Sequence, residues 1–189
     1  MKRILWFRRD LRVEDNPLLS LDGEVFPIFI FDTNILNKLQ ANDRRVSMLY
    51  TFVLQLKSKL QALGLDLHIF HGKANDIFES LKLEHFDEVV ASGDYDAYAK
   101  ERDLEISRMI HFRYLNDTYL LKPKEVLKGD ASPYLVFTPF YKKALPILQA
   151  KEMRAHERVA QTLYANTYTN EITLESLGIE KQEFLFDFD

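Results

Sequence analysis

The sequence predicts an α/β domain built on an open parallel sheet of five strands with helices on both faces. Short apolar segments that are typical of buried strands alternate with segments of helical periodicity. The clearest helix, residues 43–63, has apolar side chains three and four positions apart and is followed by Gly64, which suits a helix end. Such alternation favours right-handed crossovers between parallel strands, and we expect the strand order 3-2-1-4-5.

Each predicted element has a local signal. The first strand, residues 4–7, is an uninterrupted apolar run, and Asn16 then suits a helix N-cap before Pro17, whose missing N–H costs nothing at the first helical position. Pro27 lies early in the second strand, which indicates an edge strand or a strand start. Strands two to five are predicted at residues 25–31, 67–70, 88–91 and 112–115, and the helices at residues 17–21, 43–63, 75–83, 97–110 and 139–148.

Composition excludes several classes of protein. The chain has 189 residues, a net charge of -4 and no cysteine. The lack of cysteine rules out a disulfide scaffold, a thiolate zinc site and a cysteine nucleophile, and it fits a cytoplasmic location. No apolar stretch approaches the roughly 18 residues of a membrane helix, and no signal peptide is recognisable. The negative charge argues against this chain binding nucleic acid by itself.

The alternation of strands and helices ends near residue 150. We therefore predict one domain over residues 1–150 and a linker between domains over residues 151–189. The last segment, EFLFDFD, is apolar and acidic, which is unusual for a free terminus. It suggests that more protein follows or that the segment packs on a neighbour.

The strand-end loops carry the candidate chemistry, because ligands of open parallel sheets bind beyond the carboxyl ends of the strands, where the strand order reverses. Arg8 and Arg9 follow strand one, and Asp94 and Tyr95 follow strand four, so the two loops would line one crevice. Neither GxGxxG nor GxxxxGK[ST] occurs, which disfavours a glycine-rich phosphate loop. No HExxH motif or tight carboxylate–histidine cluster occurs either, so we predict no metal and no catalytic residue.

The stretch DYDAYAKERD, residues 94–103, allows two interpretations. Asp96 suits the N-cap of the following helix, and acidic residues are favoured there by the helix dipole. Alternatively, Tyr95 and Tyr98 form a flat wall for a ring whose polar edge is held by Asp94 and Arg102.

Three segments carry a resemblance to a known family: WFRRDLRVEDNPLL, GDYDAYAKERD and LLKPKEVLKGDASPYLVFTPFYKKAL, in this order. Together they resemble the amino-terminal domain of the DNA photolyase/cryptochrome family. Residues 6–16 match the opening W-F-R-x-D-L-R-x-x-D-N, and residues 133–140 match the later signature P-Y-x-V-F-T-P-F. The resemblance covers about residues 2–150.

The resemblance implies a Rossmann-like domain that binds a light-harvesting antenna chromophore and passes excitation energy to FAD in a separate, helical carboxyl-terminal domain. Family members use blue or near-UV light to repair pyrimidine dimers in DNA or to signal. The chain stops at Asp189, before any FAD domain, so we expect no catalysis by this chain alone. The implied partners are that FAD domain and, through the full-length protein, damaged DNA.

The resemblance also implies which positions line the antenna pocket. Folate sites in the family often carry an Asn-Glu pair in the helix after strand four, whereas this chain has Tyr98-Ala99 there. A flavin or deazaflavin is therefore favoured over folate. The matching pocket positions are Arg8, Arg9, Asp10, Phe31, Asp32, Asn34, Asp94, Tyr95, Asp96, Tyr98 and Arg102.

The charged loop after strand one is either an anion site or a salt-bridge cluster that satisfies itself. We expect Arg8 to contact a ligand or a domain interface and leave Arg9 open between the two roles. Asp10 and Arg12 are expected to pair with each other or with nearby backbone, since an isolated buried charge is costly. Trp6 is expected in the core.

Three functions remain open from the sequence. An antenna domain predicts a cavity lined by Tyr95, Tyr98 and the Arg8 loop. A scaffold domain of a cryptochrome or an antenna-less photolyase, which only docks the FAD domain, predicts an exposed apolar patch over residues 134–148 and no cavity. A free-standing adenine-nucleotide-binding module has the same fold but is weakened by the missing glycine-rich loop.

Overall fold

The central feature of the computed structural model, which describes residues 1–168 and 171–184, is a parallel sheet of order β3-β2-β1-β4-β5. This is the predicted strand order, and the strand order reverses between β1 and β4. The strands are β1 (Lys2–Phe7), β2 (Gly23–Asp32), β3 (His68–Gly72), β4 (Glu88–Ser92), β5 (Phe112–Leu115) and β6 (Gln161–Leu163), and the helices are α1 (Thr33–Leu36), α2 (Arg44–Ala62), α3 (Ala74–Leu81), α4 (Ala97–Ser107) and α5 (Phe137–Gln149).

Both faces of the sheet are buried, each in its own apolar core. Successive side chains of a strand point to opposite faces, so one strand contributes to both cores. Leu5 and Phe7 of β1 pack in one core with α2, whereas Ile4 and Trp6 pack in a second core with α3 and α4. The uninterrupted apolar run of β1 follows from this two-sided burial, with every side chain from Arg3 to Phe7 buried.

Local capping signals in the sequence are confirmed. Asn16 accepts a hydrogen bond from the N–H of Leu18 at 2.9 Å and begins a 3-10 helix over Pro17–Ser20. Asp96 likewise caps α4 by accepting from the N–H of Ala99 at 2.8 Å. Each cap pairs a backbone donor that would otherwise be left unsatisfied at the helix start.

The prediction that Pro27 marks an edge or a strand start is wrong. Pro27 lies in the middle of β2 and is in register with Leu5 of the central strand β1. On the other side of β2, β6 pairs with Gly23–Val25 and β3 pairs from Ile28 onward, so Pro27 falls between these two partners. A proline that cannot donate to a sheet ladder is tolerated at such a gap.

The chain after residue 151 is partly ordered on the sheet, which the sequence did not predict. Residues 161–163 form β6, and the N–H of Tyr164 donates to the carbonyl oxygen of Val25 at 2.8 Å. Further on, Leu177 and Ile179 are buried in the same core as α2. Residues 161–164, Leu177 and Ile179 thus pack on the domain, and the role of the segment 151–189 as a connection between domains stays a prediction.

Other differences are small. The short helix α1 was not predicted, α4 ends at Ser107 rather than at residue 110, and α5 begins at Phe137 rather than at residue 139. The end of the EFLFDFD segment, residues 185–189, lies outside the described residues. Within the described residues, none of the helices has the length and apolar character needed to cross a membrane.

Candidate functional site

A pocket of about 190 Å³ opens at the carboxyl ends of β1 and β2. The loop after β4, the short helix α1 and the first two turns of α2 and α4 complete its wall, so it lies where the strand order reverses. Most of the wall is apolar, and a few polar side chains lie among the rings. Eight of the eleven predicted positions line it: Arg8, Arg9, Phe31, Asp32, Asp94, Asp96, Tyr98 and Arg102.

Two buried arginines share one buried carboxylate beneath this pocket. Asp103 is fully buried, and its Oδ2 accepts from Nη1 of Arg8 at 2.8 Å. Its Oδ1 accepts from Nε and Nη2 of Arg102 at 3.0 and 2.9 Å. Both guanidiniums are buried, with 7% of each side chain exposed. The cluster therefore holds two positive charges and one negative charge out of water.

The rest of the Arg8 guanidinium lies against aromatic rings. Its Nε and Nη2 have no hydrogen-bond partner in the described part of the chain, and its Cζ lies 4.3 Å from the centre of the Trp6 ring and 5.6 Å from that of Phe112. Burial lowers the pKa of Arg8 from its ordinary value, and the neighbouring Asp103 opposes that shift. Arg8 thus lines the pocket and is held by an internal ion pair, and its contact with a ligand or a domain interface stays a prediction.

The other charged residues of the loop after β1 hold its shape. Asp10 is buried and accepts from the N–H of Arg8 at 2.9 Å and from the hydroxyl of Ser92 at 2.7 Å. The predicted contact of Asp10 with nearby backbone is therefore present. The alternative ion pair between Asp10 and Arg12 is not formed, because the Arg12 guanidinium binds Asp117 at 2.5 and 2.9 Å. Asp117 follows β5, which the sheet brings next to this loop.

A chain of hydrogen bonds joins α1 to α4 at the side of the pocket. The Tyr98 hydroxyl donates to Oδ2 of Asp32 at 2.5 Å and accepts from Nδ2 of Asn34 at 3.1 Å. Asp32 also caps α1 by accepting from the N–H of Asn34 at 2.9 Å. Burial, together with the carboxylate of Asp32, raises the pKa of Tyr98 to about 12. Asn34 does not line the pocket, but it donates a hydrogen bond to Tyr98, which does.

The outer rim of the pocket is an exposed charge cluster. Arg9 is exposed over 59% of its side chain and lies 3.2 Å from Asp94 and 3.5 Å from Asp96. Exposed pairs of this kind contribute little stability, typically about 0–1 kcal/mol. This leaves Arg9 free to exchange its partners for a ligand group at the mouth.

The predicted wall of two tyrosines is only half formed. Tyr98 lines the pocket, but Tyr95 lies outside it and packs against Tyr119 with 5.4 Å between ring centres. The reason is local. Helix α4 begins at Ala97, so Tyr98 lies on its first turn, whereas Tyr95 precedes the Asp96 cap and its ring packs on Tyr119 instead of the pocket.

Several pocket residues escaped the sequence analysis. Ile35 and Leu36 line it from α1, and Leu49 lines it from the second turn of α2. Asp103 was also missed, although Ala99, Arg102, Asp103 and Ile106 recur three and four residues apart and form the buried side of α4. That spacing was the available signal. No group of three or more metal-binding side chains occurs within residues 1–168 and 171–184.

A second surface with candidate function surrounds α5. Leu135, Val136, Phe137 and Tyr141 are exposed, with 88% of Leu135 and 72% of Phe137 open to solvent. Ala144 is the one buried residue of α5. We call these four exposed residues the α5 apolar surface. Its exposure agrees with the patch that a docking scaffold predicts, although the pocket described above is present as well.

Comparisons with known proteins agree with the fold and the motifs. The sequence model of the DNA photolyase family matches residues 3–162. The chain is 27% identical to Cryptochrome-2 of Arabidopsis thaliana over 96% of this chain and 31% of that protein. It is 29% identical to the deoxyribodipyrimidine photo-lyase of Alkalihalophilus pseudofirmus over 87% of this chain and 40% of that protein. The chain thus spans less than half the length of these relatives.

A solved structure shows the same fold. The archaeal photolyase of Sulfolobus tokodaii superposes with a TM-score of 0.71 at 24% identity, over 94% of this chain and 41% of that one. That structure contains two FAD molecules, which were taken to imply a novel light-harvesting cofactor in that protein.

Proposed function

The chain belongs to the DNA photolyase family and corresponds to its amino-terminal α/β domain, and we propose from this premise that it binds a light-harvesting chromophore at the strand-end pocket. The bound chromophore would absorb a photon and pass the energy to FAD in a carboxyl-terminal domain, for light-driven repair of pyrimidine dimers in DNA. The observation that carries the proposal is the convergence of eight predicted positions on one pocket at the strand-order reversal.

The pocket suits the ring of a chromophore rather than a whole dinucleotide. Ligand pockets of drug-sized molecules usually measure about 300–1,000 Å³, and this one measures about 190 Å³. A flat ring would insert between Phe31, Ile35 and Leu36, while its chain extends past the exposed Arg9 at the mouth. Burial of the ring against these apolar side chains would exclude water from it, and the Tyr98–Asp32 pair would orient its polar edge.

A flavin or deazaflavin remains the favoured ligand. Tyr98-Ala99 occupies the position where folate sites of the family often have Asn-Glu, and Ala99 lines the pocket without a polar group. The second FAD of the Sulfolobus tokodaii photolyase offers a precedent for a flavin in the same fold.

A docking role is the second candidate function, and the α5 apolar surface favours it. Four exposed apolar side chains in sequence proximity, with 88% of Leu135 open to water, are costly unless a partner covers them. The partner we propose is the FAD domain of the full-length protein. Docking is compatible with chromophore binding, so the two proposals differ only in whether the pocket takes a ligand.

The deciding experiment is a titration of the chain with FMN, FAD, a deazaflavin and a reduced folate, followed by fluorescence and by thermal unfolding. A ligand present at 100 times its Kd stabilises a protein by about 2.7 kcal/mol. For a chain of this size, that raises Tm by about 5–10 °C.

Tyr98→Ala should abolish the saturable binding, and Tyr95→Ala is its matched control, since Tyr95 lies three residues earlier but outside the pocket. Ile35→Trp should also block binding, because Ile35 is 44% exposed and a larger side chain there fills the mouth without disturbing the core. Binding that survives both Tyr98→Ala and Ile35→Trp would place the ligand elsewhere. No binding of any of the four compounds would leave docking as the function.

A further inference from the structure

Trp6 is the single tryptophan of the chain, and it lies in the pocket wall beneath two guanidinium groups. The Cζ atom of Arg8 is 4.3 Å from the centre of its ring, and that of Arg102 is 4.6 Å away. The ring is 2% exposed, so water does not screen these contacts. The attraction of two cations to one buried indole exceeds that of a single cation–π contact.

Both charged groups in contact with the Trp6 ring are cations. Asp103 neutralises one of the two arginines, since it is the carboxylate that both of them bind. Two other buried carboxylates of the site are bound elsewhere, since Asp10 accepts from Arg8 N–H and Ser92 and Asp32 accepts from Tyr98. The charged groups that lie directly over the Trp6 ring are therefore the two guanidiniums.

This arrangement opposes the loss of an electron from Trp6. A cation over a neutral indole is attracted by the negative face of the ring. After one-electron oxidation the ring is itself a cation, and the same guanidiniums repel it. An excited flavin is a strong one-electron oxidant, and indole is among the most easily oxidised side chains, so an unprotected tryptophan in contact with the chromophore would quench it.

We propose that Arg8 and Arg102 protect the excited chromophore by making Trp6 difficult to oxidise, an inference that rests on the proposed function. The disfavoured step moves one electron from the indole to the excited ring, with no bond broken and no proton moved. Each time that step occurs, the excitation is dissipated in the pocket instead of being transferred. The two arginines thus preserve the yield of energy transfer, in addition to any contact with the ligand.

The first test needs no ligand. The oxidation potential of Trp6 is measured by square-wave voltammetry. The voltammogram of the Trp6→Phe variant is subtracted from that of the chain, which removes the signal of the tyrosines. Arg8→Gln should shift this potential downward, and Arg8→Lys, which keeps the positive charge, should shift it less. Asp103 keeps Arg102 as a partner in both variants, so the ion pair at the centre of the fold remains. An unchanged potential in Arg8→Gln overturns the proposal.

The second test follows the bound chromophore. In the Tyr98→Phe background, which removes the phenol donor of the same pocket, the fluorescence lifetime of bound FMN is compared between Arg8 and Arg8→Gln. The lifetime should shorten severalfold, with transient absorption of the indole radical, and Trp6→Phe added to Arg8→Gln should restore it. Shortening that persists without Trp6 overturns the proposal. Failure of the unaltered chain to bind FMN, FAD, a deazaflavin or a reduced folate would instead refute the proposed function, and the voltammetry would still decide the charge effect.

Discussion

Replacement of Asp103 by Asn would test whether the buried charge cluster holds the β1 loop and α4 together. Asn preserves the shape of the side chain and removes its charge. In the folded chain, Asp103 is fully buried and accepts three hydrogen bonds, one from Arg8 at 2.8 Å and two from Arg102 at 2.9 and 3.0 Å. In Asp103→Asn, two guanidiniums would stay buried without a counter-charge.

The magnitude follows from the burial of all three groups. Removal of one partner of a buried ion pair usually costs about 3–5 kcal/mol, because the remaining charge stays out of water without compensation. Asn keeps one acceptor oxygen and so retains part of the bonding, whereas the second uncompensated arginine adds to the cost. We therefore expect a loss of about 3–5 kcal/mol, which is a large share of the roughly 5–15 kcal/mol of a typical domain.

The assay is urea unfolding followed by far-UV circular dichroism. With an m value of about 2 kcal/mol/M, the midpoint should fall by about 1.5–2.5 M. Glu101→Gln is the matched control, since it removes a carboxylate from the exposed side of the same helix and should stay within about 0.5 kcal/mol. In an Arg8→Gln background, Asp103→Asn should cost less, because one guanidinium is then left instead of two. A loss below about 1 kcal/mol in Asp103→Asn would refute the reasoning.

Three further predictions concern single residues. Tyr98→Phe should remove a phenolate absorbance step at about pH 12. The raised pKa of Tyr98 implies a contribution to stability that is complete below about pH 10 and is lost as the pH rises towards that step. Identical alkaline titrations of the two chains would contradict this. Burial lowers the pKa of His68, so the contribution of His68 to stability should be complete above about pH 6.5 and decline as the pH falls through the lowered pKa. His68→Gln should therefore flatten the acid side of a plot of urea midpoint against pH. Parallel plots for the two chains would count against this prediction. Leu135→Ser, at a position 88% exposed, should change the unfolding free energy by no more than about 0.5 kcal/mol. In a pull-down it should reduce binding of a separately expressed FAD domain, the partner proposed above. Unchanged binding would speak against the α5 apolar surface as the docking site.

The sheet could be predicted because its determinants are local. Uninterrupted apolar runs mark strands that are buried on both faces, and the regular spacing of α2 marks one apolar side of a helix. The alternation of these elements then leaves few permitted connections. The strand β6 was not predicted because it is three residues long and has no periodicity of its own, and its pairing with β2 exists only in the tertiary structure.

The site could be predicted to the level of which loops meet, and not to the level of which side chains face the pocket. Tyr95 and Tyr98 are indistinguishable as residue types, and only the start of α4 between them separates one from the pocket. Leu49 and Ile35 carry no chemical signal, since they resemble any other apolar residue until the helices bearing them pack over the strand ends.

The sequence by itself determined the strand order, the caps at Asn16 and Asp96, and the family to which the motifs belong. The caps depend on residues that are close in the chain, the family on short ordered motifs, and the strand order on the few connections that alternating strands and helices permit. The partners of the charged residues were decided only by the tertiary structure. Arg12 binds Asp117 instead of the nearby Asp10, and Arg8 binds Asp103, because the sheet brings the ends of β1 and β5 and the buried side of α4 together across about a hundred residues of chain. A buried charge takes the counter-charge that folding places beside it, and that choice depends on distance in space.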